Sequence, residues 1–389
     1  MLINFLIRRF INDHEHLEDE QVRGNYGIFA SVLSIILNVV LVIFKILVGL
    51  AANSIAVIAD GINNMTDVVS NLATLVGFRL ALQLPDEKHP YGHGRFEYIS
   101  GIIISFFILV VAFVTVRDSV VKIVTNEPVF FDTVGAIVLI GAIFVKFFMA
   151  YFNRDIGAKI GSTSLLAAAQ DSLNDVLATT ATLIALVLSR FTTLPVDGIM
   201  GTVVGIIVFR SGIEIFKDTV NPLLGLAPSP DLVKEIVRYV NSHEVTKGTH
   251  DIMIHDYGPS RKFMTLHVEV DARDDIMAVH DAIDNLESDL EKKFKIKTVI
   301  HMDPIDYNNP ELDPVRKQVV DVIKMYDDGY SIHDFRMVDG PTHTNLIFDL
   351  VVPFEQDKNR ETIKEELTDL IEIANPKYRV KMTVEHKYY

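Results

Sequence analysis

The chain has 389 residues, 49% of them hydrophobic, a mean hydropathy of +0.28 and a formal net charge of −15. It is too apolar for an ordinary soluble protein and too charged to lie wholly in a bilayer, so the two properties must be segregated along it. The absence of cysteine excludes disulfides, thiolate zinc sites and thiol catalysis together, and the acidic balance disfavours nucleic acid as a partner.

Residues 1–27, "MLINFLIRRFINDHEHLEDEQVRGNYG", present an apolar face broken by Arg8 and Arg9, then an acidic stretch, with no small-residue cleavage site. They read as a retained cytoplasmic amphipathic segment. Apolar runs long enough to cross a bilayer follow near 28–50, 54–82, 97–117, 131–153, 162–189 and 196–217, predicting a six-helix transmembrane domain over 28–217. Arg8, Arg9, Arg23, Lys88, Arg95, Arg154, Lys159 and Lys217 collect on one side, against Arg117, Lys122 and Arg190 on the other. The positive-inside rule then puts both termini of this multi-pass protein in the cytoplasm. Lys45 and Lys146, in or near the spans, read as side chains snorkelling to an interface and receive no role.

The second span carries "AVIADGINNMTDVVSN", in which Asp60 and Asn64, four residues apart, share one helical face. The fifth repeats the device with Asp171 and Asp175 in "LLAAAQDSLNDVLATTATLIALVL". An ionised carboxylate at mid-membrane costs several kcal/mol, so matched pairs demand a cation or protons, and Asp60, Asn64, Asp171 and Asp175 together make a four-oxygen cage for a divalent cation. The bland reading, helix-helix hydrogen bonds or a wet vestibule, is kept for Asn63, Gln170 and Asn174, and Asp67 is taken as structural or vestibular. All thirteen histidines lie outside the spans, so the cage lacks imidazole and its donors favour manganese over zinc. Crowded carboxylates repel one another when all are ionised, which lets protons compete with the metal and makes proton-coupled alternating access the expected mechanism.

Beyond "LLGLAPSPDL" a helix near 229–241, the strands "HDIMIHDYG" and "KFMTLHVEV", a helix near 277–293 and the strand "KTVIHMDPI" predict an α+β, ferredoxin-like domain over 227–306. The order then recurs. "THDIMIHDYGPSRKFMTLHVEV" aligns with "IHDFRMVDGPTHTNLIFDLVV", pairing His250 with His333 and Asp251 with Asp334, so 311–389 reads as a second, repeated ferredoxin-like domain.

Six spans, polar motifs in the second and fifth, "DEKHPYGHGRFE" between the second and third, and the tail together resemble the cation diffusion facilitator family over residues 12–306. The resemblance implies a homodimer in membrane lipid, here a bacterial cell membrane, that exports a divalent cation in exchange for protons, with no organic cofactor and no enzyme activity. Asp60, Asn64, Asp171 and Asp175 take the places of the family's intramembrane ligands. The lack of histidine there is similar to the manganese branch, so Mn2+ is the expected substrate, with Zn2+, Fe2+ and Co2+ as alternatives. Asp86, His89 and His93 match a peripheral loop metal site of some members, though the same residues also fit a plain tight turn. His250, His267, His280, His301 and Asp303 match the family's tail metal site, which links two protomers. Family members usually carry one tail module. The second copy here keeps His333 but sets Asp349 opposite His267 and Glu385 opposite His301, so it is expected to bind metal weakly or to serve only in dimer packing. The rival readings are a membrane-anchored metal sensor without transport and an intramembrane hydrolase. The second has no HExxH, G-x-S-x-G or phosphate-cradling glycine loop to carry it.

Overall fold

The computed structural model describes residues 7–386 apart from 12, 14, 18, 52–60, 62–63, 126–132, 189–190, 193, 308, 341 and 354–358. The chain divides into two units, 1–226 with 256–261, and 227–255 with 262–389.

The first unit is a helical bundle of α1 (Glu20–Ala51), α2 (Met65–Ala81), α3 (Phe96–Thr125), α4 (Thr133–Ile160), α5 (Thr163–Leu188) and α6 (Val196–Leu224). All of these but α2 are long and apolar enough to cross a membrane, and the residues expected to begin the second span fall partly outside those described. Helices α1, α3, α4 and α6 run past the spans read from hydropathy because their ends carry polar residues that still satisfy the backbone. Thus α1 starts at Glu20, where the Asp19 carboxylate accepts from the N–H groups of Gln21 (2.7 Å) and Val22 (3.1 Å), a side-chain N-cap. At the far end α6 stops at Gly225, whose φ of 89° is the left-handed conformation that closes a helix.

Polarity in α1 is inside out. Gly27, Ser31, Ser34, Asn38, Lys45 and Gly49 form its buried stripe, while Ile36, Val40, Phe44, Leu47 and Leu50 are exposed. That pattern suits helices whose surroundings are as apolar as leucine, where association depends on close packing of small residues and on interhelical hydrogen bonds. Glycines do the same between α3 and α6: a Cβ on Gly205 would lie 2.6 Å from Cγ2 of Val116. Ile7 and Ile11, in the segment expected to be merely amphipathic, are buried against Val22, Tyr26, Phe152 and Ile156. Nearby, Arg23 grips the fully buried Glu97 through two hydrogen bonds of 2.8 and 3.0 Å and donates from Nε to the Ile160 carbonyl, tying three helix ends together.

The second unit holds α7 (Pro230–Val240), β1 (Gly248–Asp256), β2 (Lys262–Asp271), α8 (Ile276–Phe294) and β3 (Ile296–Ile305), then α9 (Leu312–Tyr326), β4 (Ser331–Asp339), β5 (Thr344–Val352), α10 (Arg360–Ala374) and β6 (Tyr378–His386). Both halves run αββαβ, the ferredoxin-like order without its first strand. Each forms its own three-stranded sheet, β1-β2-β3 and β4-β5-β6, with the last strand parallel to the middle one. Alternation along the strands sends Met264, Leu266, Val268 and Ile300 of the first half into a core with Ile236, Ile283 and Leu286. Leu346, Phe348, Leu350 and Met382 do the same in the second half with Val319, Ile363 and Leu367.

Strand register corrects one expected equivalence. His267 pairs with His301 and Glu269 with Asp303, whereas Asp349 pairs with Thr383 and Val351 with Glu385. With Leu266 matched to Phe348 by burial, Glu385 stands in the place of Asp303 and Thr383 in that of His301. The shift arises because the residues that face the core, and not residue count along the chain, set which positions of the two halves are equivalent.

Candidate metal centres

In the bundle, helical periodicity carries Asp171 and Asp175 to one face of α5, and Asp67 occupies the first turn of α2, three residues after its N-cap, Asn64. The packing brings Asp67, Asp171 and Asp175 together, each offering a carboxylate oxygen within 4.8 Å of the others. Asp60 lies outside the described residues. Asn64 is buried, accepts from Lys45 Nζ at 3.3 Å, and has an Nδ2 with no hydrogen-bond partner among the described residues. Gln170 donates to Asn174 at 3.1 Å alongside.

The two lysines do not snorkel. Lys45 and Lys146 are 2% and 4% exposed, and Lys146 Nζ lies 2.6 Å from Asp67 Oδ2 and 2.7 Å from Asp175 Oδ2. Three neighbouring carboxylates in a medium of low dielectric need positive charge at hand, and α4 supplies it as a tethered ammonium. Asp67, set aside in the sequence reading, therefore sits in the carboxylate group. Its spacing, three residues after Asn64 on the same helical side, admits it to the group without requiring it. For the lysines the sequence held no such signal.

Between α2 and α3, Asp86, His89 and His93 converge: His89 Nδ1 is 3.1 Å from Asp86 Oδ1 and 3.1 Å from His93 Nε2. His93 is buried with its Nδ1 unpartnered among the described residues, and the backbone N–H of His89 is the chief reason that the Asp86 carboxyl is held below the ordinary range.

In the tail, His250, His267 and Asp303 meet, with Asp303 Oδ2 at 2.9 Å from His267 Nδ1 and 3.4 Å from His250 Nε2, and Oδ1 at 3.3 Å from His301 Nε2. Burial opposes the charged form of His250, but its hydrogen bond to Asp251 and the charges of Asp251 and Asp303 outweigh that and raise its pKa. The His267 pKa is raised chiefly by its hydrogen bond to Asp303. Burial alone would push Asp303 up, yet the three histidines hold it below the carboxylate norm. Two imidazoles and a buried carboxylate, with one ring nitrogen of His250 lacking a hydrogen bond among the described residues, fit a divalent metal. His280 is not among them. It lies on the exposed face of α8, 3.3 Å from Asp284, one turn along its own helix.

The family model for the cation efflux transmembrane domain matches residues 31–224, and that for the cation efflux protein cytoplasmic domain matches 228–305. The manganese efflux system protein MneS of Bacillus subtilis is 30% identical over 292 residues, covering 74% of this chain and 98% of that protein. The chain belongs to the cation efflux family. An uncharacterized transporter of Methanocaldococcus jannaschii is 30% identical over 276 residues, 71% of this chain and 97% of its own. The cation-efflux pump FieF of Cronobacter sakazakii is 26% identical over 276 residues, 71% of this chain and 92% of its own. This member of the family is accordingly a multi-pass membrane transporter of cations and not an enzyme. Neither family match reaches the second αββαβ half.

Proposed function

We propose that the protein exports Mn2+ from the cytoplasm of a bacterial cell in exchange for protons, as a homodimer with both termini inside. The observation that carries this reading is the all-oxygen group of Asp67, Asp171 and Asp175 with Asn64 beside it, in helices without a histidine. Hard oxygen donors suit manganese better than zinc, and the name of the MneS relative supports the same ion. Asp60, four residues before Asn64 in the sequence, remains a proposed fifth participant.

In this mechanism the ion entering from the cytoplasm takes carboxylate oxygens now held by Lys146, whose ammonium withdraws while the helices rock to face outward. Protons arriving from outside neutralise Asp171 and its neighbours and release the ion; once the helices rock back those protons leave to the cytoplasm, and Lys146 returns to balance the re-ionised Asp67 and Asp175. The Asp86, His89 and His93 group would hand ions toward the bundle, and the His250, His267 and Asp303 group would bind metal in the tail. The test is metal flux in proteoliposomes under an imposed pH gradient, comparing manganese, zinc, iron and cobalt for wild type and Asp171→Ala. Fast, gradient-dependent manganese flux that the substitution abolishes is the expected result. Dominant zinc flux would overturn the ion assignment, and an unchanged Asp171→Ala variant would overturn the site.

A further inference from the structure

The second αββαβ half lies outside both family matches, so the transport reading leaves it without a task. His333 and Asp334 open β4 as His250 and Asp251 do β1, and both aspartates have a φ of 50°. A left-handed residue interrupts strand alternation, so each histidine and the aspartate after it can serve one cluster. The imidazoles of His250 and His333 lie against each other with centroids 4.4 Å apart. Equivalent residues of two copies that touch in this way are the mark of an approximate two-fold relation between the copies.

The halves also reach across the junction. Asp251 Oδ1 of the first is 3.3 Å from His333 Nε2 of the second, and the same nitrogen is 2.8 Å from Glu385 Oε1. Asp251 Oδ2 lies 3.3 Å from His250 Nδ1. Glu385 is the register counterpart of Asp303, so the His333 and Glu385 pair repeats the His250 and Asp303 pair, and the repeat has kept a ligand chemistry as well as a fold. His250, whose side chain is only 7% exposed, turns Nδ1 to Asp251 at this junction and Nε2 to Asp303 of the first group at 3.4 Å, while Nδ1 of His333 and Oδ1 of Asp334 are buried beside it with no hydrogen bond among the described residues. Buried polar atoms without a partner beside a cluster of two imidazoles and two carboxylates call for more than ion pairing to account for them.

We propose that the junction of the two halves is a second divalent-cation site, with Asp251 from the first half and His333 and Glu385 from the second as ligands, and His250 completing a set of two nitrogens and two oxygens. That donor set selects a borderline ion such as Zn2+ or Co2+ over manganese. Because the ligands come from both halves, the site exists only while they are paired, and the bound ion stabilises the pairing by mass action. One chain thus closes a metal-dependent clamp within itself, and the tail reports a metal other than the one the bundle transports.

The test titrates metal-stripped, full-length protein in detergent with Co2+, following the d–d absorption of the bound ion and counting bound metal by mass spectrometry. Wild type is compared with His333→Gln, Glu385→Gln and His267→Ala. Loss of one tightly bound Co2+ per chain in each of the first two, and of a further one when Glu385→Gln is combined with His267→Ala, is expected. An unchanged ion count in Glu385→Gln, with altered melting of the metal-free protein, would overturn the site and leave a hydrogen-bonded network instead. Should His333→Gln not fold, Glu385→Gln decides alone, because the carboxamide keeps the shape and the hydrogen-bonding reach of Glu385. Binding rather than flux is the readout, so failure of the manganese assignment leaves this result intact.

Discussion

Lys146 turns a repulsive arrangement into a stable one, and in the proposed transport site the same contacts make it a competitor of the ion. Its ammonium is 2.6 and 2.7 Å from two of the three clustered carboxylates. A pair of unit charges about 4 Å apart at an effective dielectric of about 20 is worth about 4 kcal/mol. Lys146→Met, which keeps the length and removes the charge, should therefore lower the KM for manganese by about tenfold or more while slowing turnover, because a fixed rival for the carboxylates is gone and nothing replaces the departing ion. Concentration-dependent flux separates the two effects, and an unchanged KM would reduce Lys146 to a structural role. Selectivity belongs to the same scale. Asn64→His puts an imidazole at the edge of an all-oxygen group, and the ratio of zinc to manganese flux in proteoliposomes should rise, since zinc gains more from nitrogen than manganese does. A ratio that stays put would mean that the oxygen donors do not set the preference.

Among the elements, α3 and α6 depend on the absence of side chains. Gly205 faces Val116 so closely that a Cβ would need 2.6 Å, less than two carbons tolerate. Gly205→Leu should push the helices apart and cost about 1–3 kcal/mol, as overpacking commonly does. Thermal unfolding in detergent would register this as a lower midpoint, with the site residues on α2 and α5 untouched. An unchanged midpoint would show that the bundle yields there. The tail elements follow ordinary soluble logic instead. The Ser229 and Asp275 side chains accept from backbone N–H groups of the first turns of α7 and α8, and apolar faces of both helices pack on the inward side of the first sheet.

For the whole molecule, the two αββαβ halves have separate cores, the second of which takes in Ile305 at the end of the first half's last strand. The groups proposed for transport all precede residue 176, and the family matches end at 305. A chain ending after residue 309 should keep manganese flux within about twofold of wild type while binding fewer ions in its tail, a comparison read by proteoliposome flux and by metal counting. Loss of flux in a folded truncation would instead assign the second half to transport.

Much of this was legible locally. Hydropathy marked the helices, a four-residue spacing marked Asp171 and Asp175, and the repeated motif around His250 and His333 marked the tandem halves, because each of these rests on periodicity within a short segment. What only tertiary structure decided was which charges meet. Hydropathy places Lys45 and Lys146 in apolar spans without saying whether they turn to lipid or to carboxylates, since that depends on the rotation of each helix against its neighbours. Spacing could not choose between Asp67 as a bystander and as the third carboxylate, nor separate His280 from the other tail histidines. Strand register moved Glu385 to the position of Asp303, and the packing of one half on the other joined Asp251 to His333. The sequence by itself thus determined the elements and the faces they offer, since those follow from backbone geometry, whereas pairing across elements needed the packed core that sets their mutual rotation and register.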